Sequence, residues 1–411
     1  MKNTPKKTVL SICIPTYNRS RYLNKLLPTL FSELKEFPHA TEVILSDNCS
    51  TDQTETLIAS YSEEVNLKYF RHGINCGAYA NYMFSLSKGS GEFLLYLADD
   101  DFINFQELDL VIRKLLNNTN ITAVYAPWIL HDLVKNENRG QFYHQTNDIL
   151  ITKDNHLLLT ETVLNLRAFP EIGVFRRVCW EKVAQKTPNM AYWAFVFPSL
   201  YISLGDVLFS CRPFYVSITK YFHDDSRSQL GHEEAEKNWD VYRGGLEFML
   251  SRAVKMMTRE KHLAILGLIN NFISERISVA LRLKISNGRN DIDIYHLGCR
   301  LRGLGYDHLL PIPLDVLSLR ATLFFLATDN HGFLELPLLL LHESVSNQNY
   351  SRIKLFSGDR ASRFLKNSKY KDCMVIFQSK SDLDECDLNE LKSGGLKIVV
   401  IDEIQFKFPH F

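Results

Sequence analysis

The chain has 411 residues, with 47 Lys plus Arg against 47 Asp plus Glu, and is 45% hydrophobic and 12% aromatic. At roughly 150 residues per domain this length allows two or three domains with cores of their own, and the apolar content excludes a disordered chain. A formal net charge of +0 gives no drive toward nucleic acid, and 8 scattered cysteines without a Cys-x-x-Cys pair exclude a zinc ribbon or a dense disulfide framework.

The amino terminus through Thr8 is short, polar and basic and lacks the apolar stretch of a secretory signal, so a cytoplasmic protein with reduced thiols is expected. Val9 to Pro15 reads as a buried strand, followed by a loop and a helix from Tyr22 to Leu34. Glu42 to Ser46 is a second strand, the loop Asp47 to Gln53 leads into a helix from Thr54 to Ser62, and Leu67 to Arg71 is a third strand. A loop from His72 to Gly77 precedes a helix, Ala78 to Ser87, and Phe93 to Ala98 is a fourth strand that stops at three aspartates. Strands alternating with helices at this spacing predict a mostly parallel sheet flanked by helices. Right-handed crossovers place all these loops at the carboxyl edge of the sheet, where ligands of such folds bind.

The pattern continues with a helix from Asn104 to Leu116, a single strand from Ala123 to Leu130 and a polar insertion, Lys135 to Gln145. Strand-like runs follow at Val174 to Arg177, Val207 to Cys211 and Phe214 to Tyr221. From Gly231 the composition turns helical, with apolar residues at three and four spacings. Leu323 to Leu341 is apolar but broken by Asp329, Asn330, His331 and Glu335, short of the ~20 residues that span a bilayer, and reads as a buried or interfacial segment. The last stretch returns to alternation, with strands at Ile353 to Phe356, Met374 to Gln378 and Lys397 to Ile401. The expected division is 1–230, a helical region over 231–345 and a small α/β unit over 346–411.

The strongest local feature is Tyr96-Leu97-Ala98-Asp99-Asp100-Asp101. Three carboxylates at a strand end repel one another unless a cation or ligand donors offset them, and magnesium or manganese suits such oxygens and a substrate's phosphates together. The alternative is a solvated acidic cap on the next helix.

Four segments in this order, Ser11 to Arg19, Glu42 to Asp52, Asn75 to Gly77 with Asn81, and Ala98 to Asp101, resemble the nucleotide-sugar-binding half of the family-2 glycosyltransferases of GT-A fold, over about residues 8 to 225. The resemblance implies a GT-A-like sheet and an inverting transfer from a nucleotide sugar. It places Pro15, Thr16 and Tyr17 against the nucleoside base, with Asp47 accepting from a uracil. Asp99 and Asp100 then lie toward the ribose, within a DxD element whose last member, Asp101, meets the metal bridging the diphosphate. A metal there neutralises the leaving group. Asn75 is equally a ligand contact or a loop-shaping residue, Arg19 and Arg71 are candidates for the diphosphate, and Asp52 is expected to cap the helix after it. His223, after the last strand, is implied as a further metal ligand, which favours Mn2+ over Mg2+.

Ile172 to Arg177 resembles the family's acceptor-side strand, but where an acidic pair is expected the chain reads Thr187 to Ala194 without a carboxylate. An acceptor hydroxyl still needs a base. Glu171 is the first candidate, Asp224 and Asp225 come next, and Asp206 reads as a turn residue. Tyr192 and Trp193 offer an apolar face for a sugar or core packing. The partners implied are a UDP-sugar donor and a glycan or lipid-linked glycan acceptor of a bacterial surface polymer. Basic apolar helices after residue 231 add a surface for peripheral association with the inner face of the plasma membrane. The competing class is a non-catalytic nucleotide-sugar or glycan-binding module. A third, a nucleotidyltransferase, lacks its phosphate loop after the first strand.

Overall fold

The computed structural model describes residues 7–61, 63–64, 66–184, 190–224, 235–328, 339–342, 353–356, 374–377 and 397–400. Two compact units partition the chain: residues 1–228 with 240–272, and residues 229–239 with 273–411.

In the first unit, β1 (Leu10–Thr16), α1 (Ser20–Glu36), β2 (Thr41–Asp47), α2 (Thr54–Ala59), β3 (Leu67–Arg71), α3 (Ala78–Ser87) and β4 (Phe93–Tyr96) follow the alternation expected from sequence. β5 (Phe102–Ile103), α4 (Phe105–Asn117), β6 (Ile121–Tyr125), β7 (Trp128–Asp132), β8 (Glu137–Gln141), β9 (Ile149–Ile151) and α5 (His156–Leu166) come next. The unit is completed by β10 (Gly173–Arg176), α6 (Arg177–Val183), α7 (Trp193–Tyr201), β11 (Asp206–Phe209), β12 (Tyr215–Lys220), α8 (Trp239–Ala253) and the first half of α9 (Arg259–Ser286).

The main sheet runs β3-β2-β1-β4-β10-β6-β11-β9. β1 to β4 are mutually parallel, β10 is antiparallel to both β4 and β6, and β11 is parallel to β6. The central strands are apolar on both faces, as helix-covered parallel strands must be: Leu10, Ile12, Ile14, Val43, Leu45, Phe93 and Leu95 on one face and Cys13, Ile44 and Leu94 on the other are fully buried. Gly91 lets β1 pass close by, since a Cβ there would lie 2.7 Å from the Ser11 backbone nitrogen. Because β10 runs against its neighbours, its first residue sits at the carboxyl edge of β4 and β6, with Gly173 opposite Tyr125.

The single strand expected over Ala123 to Leu130 is two, β6 in the main sheet and β7 in a second sheet ordered β5-β12-β7-β8. Ala126-Pro127 explains the switch: proline has no N–H for the ladder and fixes φ, so pairing stops and the chain changes sheets. The expected polar insertion is partly ordered too, as β8 paired antiparallel to β7.

The boundary expected at residue 230 lies elsewhere, because residues 240–272 pack with the first unit. Gly244 and Gly245 make this possible: a Cβ on Gly244 would fall 1.8 Å from the Met190 carbonyl oxygen, and one on Gly245 2.9 Å from Phe195 Cβ. Tyr242 and Phe272 then join Phe169, Tyr192 and Phe195 in an aromatic cluster with centroids 4.7 to 6.4 Å apart. In the second unit, α10 (Asp291–Gly303) packs on α11 (Leu314–Thr328) through Gly298, where a Cβ would lie 2.8 Å from Leu317 Cδ1. β13 (Leu339–His342), β14 (Ile353–Phe356), β15 (Met374–Phe377) and β16 (Lys397–Val400) form a parallel sheet ordered β14-β13-β15-β16, three of them where the alternation predicts strands. The intervening expected helices and the amino terminus through Lys6 lie outside the described residues.

Candidate active site

The carboxyl edge of the main sheet gathers most of the singled-out residues. α3 holds two strand ends together through Asn81, which is buried. Its amide nitrogen donates to the carbonyls of Ser46 (3.0 Å) and Thr16 (3.3 Å), and its oxygen accepts from the Ser46 hydroxyl at 2.6 Å. Pro15 is half-buried, Thr16 buried and Tyr17 42% exposed, so Tyr17 is the member of the first loop that offers a ring face to a ligand.

Asp47 is fully buried, and its oxygens accept from the Ser50 N–H at 2.8 Å and the Tyr69 hydroxyl at 2.8 Å, with Arg71 Nε at 3.4 Å. Burial and the Asp47 carboxylate push the Tyr69 hydroxyl well above the usual tyrosine range. In place of an open acceptor for a base, Asp47 is the hub that shapes the 47–50 turn and orients Tyr69 and Arg71 around it. Asn75 accepts from Asn48 (2.8 Å) and from the Gly77 N–H (2.9 Å), the loop-shaping role. Gly77 has φ of +89°, a conformation that disfavours side chains. Asp52 reaches further than a cap on its own helix. It accepts from the Thr54 N–H (3.0 Å) at the start of α2 and from the Ser20 N–H (2.9 Å) at the start of α1.

The three aspartates divide. Asp99 accepts from the Thr16 hydroxyl at 2.6 Å, and Asp100 faces Arg19 at 3.8 Å. Burial and the adjacent Asp100 carboxylate push Asp99 up to about 7. Asp101 is buried and turned toward β12: it accepts from the Tyr215 hydroxyl at 2.9 Å and the Ile218 N–H at 2.7 Å. The expected pairing of Asp101 with His223 on one ion is therefore not assembled. His223 is exposed beyond β12, and among the described residues no group of three or more His, Cys, Asp or Glu is placed to hold a metal. The Asp99–Asp100 pair does fit a divalent cation. Magnesium-type sites commonly use one or two carboxylates and complete the shell with substrate phosphate and water, and a cation would relieve the repulsion that raises Asp99.

Glu171, two residues before β10, lies at the same edge as Asp99 because β10 is antiparallel to β4. The Tyr192 hydroxyl donates to its carboxylate at 2.8 Å. Beside it, Tyr82 of α3 packs on Trp193 (5.0 Å) and Tyr96 (5.0 Å), and Tyr79 lies 6.5 Å from Trp193. The Tyr82 hydroxyl is buried with no hydrogen-bond partner among the described residues, and burial, the neighbouring Tyr79 and Cys13, and the Glu171 charge push its pKa up. Of the other base candidates, Asp224 is exposed and paired with Arg21 at 2.9 Å, and Asp206 starts β11 at the opposite edge of the sheet; Asp225 lies outside the described residues.

Sequence reasoning missed Tyr69, Tyr82 and Tyr215. Each is an aromatic residue inside an apolar run, where a core role is the default, and only pairing across the fold shows its hydroxyl meeting a carboxylate or left unpaired.

An α/β sheet of this order with a carboxylate pair at its carboxyl edge defines a GT-A-like domain. The family model described as glycosyl transferase family 2 matches residues 11–169. The chain is 31% identical over 151 residues to abequosyltransferase RfbV of Salmonella typhimurium, covering 36% of this chain and 45% of that protein. It is 36% identical over 100 residues to poly(ribitol-phosphate) beta-N-acetylglucosaminyltransferase TarS of Staphylococcus aureus, covering 24% of this chain and 17% of that protein. The chain thus spans less than half the length of these two curated relatives. The crystal structure of S. aureus TarS 1-349 in complex with UDP-GlcNAc overlays 74% of this chain and 90% of that one, at 18% identity and a TM-score of 0.45.

Proposed function

We propose that the protein is an inverting glycosyltransferase that moves a hexose or N-acetylhexosamine from a UDP-sugar to a hydroxyl of a bacterial surface glycan. The observation that carries this reading is the convergence of Thr16, the Asp99–Asp100 pair and the Tyr192-held Glu171 on one sheet edge. The relatives named above, one for abequose and one for poly(ribitol-phosphate) beta-N-acetylglucosamine transfer, support a surface-polymer acceptor.

In this reading Tyr17 lines the nucleoside pocket, and the Asp47 hub fixes the neighbouring turn so that Tyr69 and Arg71 keep their places. Asp99 and Asp100 would hold a divalent ion, manganese or magnesium, which when bound neutralises charge on the diphosphate. Arg19, beside Asp100, adds a cation near the leaving group. Glu171 takes the proton of the acceptor hydroxyl as it attacks the anomeric carbon from the face opposite the diphosphate, and Tyr192 holds the carboxylate in place. The rings of Tyr79 and Trp193 flank the acceptor, and the unpaired Tyr82 hydroxyl is available to one of its polar groups.

A thermal-shift screen with UDP-, GDP- and CDP-sugars plus manganese tests the donor, since a ligand binding only the folded state raises apparent stability. UDP-sugars are expected to give the largest shift, and a larger shift with GDP- or CDP-sugars would overturn the donor assignment. A non-catalytic binding module would give the shift but release no UDP with any acceptor.

A further inference from the structure

α9 is long and apolar enough to cross a membrane by length and composition, yet its first half packs with the first unit, with Ile265, Ile269 and Phe272 buried. A helix packed in this way normally turns a polar face to water. Here Leu263 (60% exposed) and Leu268 (39%) stand on the outward face together with Ala264 and Gly267, all exposed. The turn leading into the helix adds Val254 (41%) and Met256 (47%), so four large apolar side chains stand exposed within fifteen residues. Exposed Lys255 and Arg259 are interleaved with them; the acidic neighbours are Glu260, which is exposed, and Glu161, which is paired with Lys261.

We propose that this face is a docking surface for an anionic lipid bilayer. An apolar patch ringed by cations has the composition of an interfacial membrane-binding segment. A second copy of the chain is the poorer occupant, because a two-fold contact through this patch would set Lys255 and Arg259 against their own copies.

The surface is remote from the candidate active site. Arg252 donates to the Ser203 hydroxyl at 2.9 Å, which fixes the Val254–Met256 turn near the start of β11, at the edge of the sheet opposite Asp99 and Glu171. A seven-residue strand spans on the order of 23 Å. Docking through this turn therefore leaves the donor edge facing the solution.

Flotation of the full chain with vesicles tests the proposal. The protein is expected to float with phosphatidylcholine vesicles containing phosphatidylglycerol, to stay below with phosphatidylcholine alone, and to be released by high salt. Lys255→Glu with Arg259→Glu should weaken binding by at least about 25-fold, from roughly fivefold for each basic residue lost plus the repulsion of the added carboxylates. Met256→Asp with Leu263→Asp should weaken it roughly tenfold or more. Both double variants should keep the parent's melting temperature, because the altered side chains are exposed. The proposal is overturned if the parent ignores anionic vesicles or binds neutral ones equally well, or if either folded double variant floats like the parent. It also fails if the parent sediments as a dimer that Met256→Asp with Leu263→Asp converts to monomer, which would assign the face to a second copy.

Discussion

The Tyr192 hydroxyl donates to the Glu171 carboxylate across 2.8 Å, joining the start of α7 to the residue ahead of β10. The start of α7 is where the family's acidic pair was expected and where this chain has none. A carboxylate from an adjacent element occupies the same neighbourhood, held by an aromatic residue. Tyr192→Phe removes a donor that favours the charged carboxylate, so the acid limb of the pH–rate profile should move to higher pH with kcat down roughly tenfold. A purely packing role for Tyr192 would leave that limb where it is.

Asp99 carries a stability signature. Its folded-state pKa of about 7, raised by burial and by Asp100, lies above the ordinary aspartate value. Between about pH 4 and pH 7 the folded chain keeps a proton that the unfolded chain has released, so stability falls as pH rises through that window. Asp99→Asn should therefore raise the melting temperature at about pH 8 and change it little at about pH 4, while lowering sugar transfer. Melting curves across this range check the sign. An equal effect at both ends would remove the carboxylate repulsion from the account.

Asp101, by contrast, supports the structure. Both oxygens bond to β12, through Tyr215 and the Ile218 N–H. Asp101→Ala should cost about 2 kcal/mol or more in chemical denaturation without any ligand present, because it strands a buried hydroxyl and a backbone donor. Tyr215→Phe removes one of these two bonds together with the acceptor of the Ala98 N–H (3.1 Å), and should cost about as much. If Asp101→Ala leaves the midpoint unchanged, its role lies with a ligand.

Gly244 links the helical region to the site. A Cβ there would collide with the Met190 carbonyl at 1.8 Å, two residues before Tyr192. Gly244→Ala should cost about 1–3 kcal/mol and lower kcat together with stability, as α8 is pushed from the turn that carries Tyr192. Unchanged kcat in a destabilised variant would separate the two.

Much of the donor half was legible because its logic is local. Alternation of strand and helix fixes which loops share an edge, and that is enough to bring Thr16, Asp47, Asn75 and Asp99 to one side. The roles of individual carboxylates were not, because they depend on partners far along the chain. Asp101 meets Tyr215 and Ile218 more than a hundred residues later, and Asp47 meets Tyr69 and Arg71 across β2 and β3. The Ala126-Pro127 break is readable in principle, but which sheet β7 joins is decided by its pairing with β12. The attachment of residues 240–272 to the first unit rests on two adjacent glycines whose use shows only once Met190 and Phe195 are in place.

The most direct test of the account is release of UDP from a UDP-sugar by Glu171→Gln beside the parent, with manganese and a surface-glycan acceptor. The account predicts at least about a hundredfold lower kcat in the variant, with donor-induced thermal stabilisation unchanged, since general-base catalysis is typically worth that much. Parent-like turnover by Glu171→Gln would contradict it.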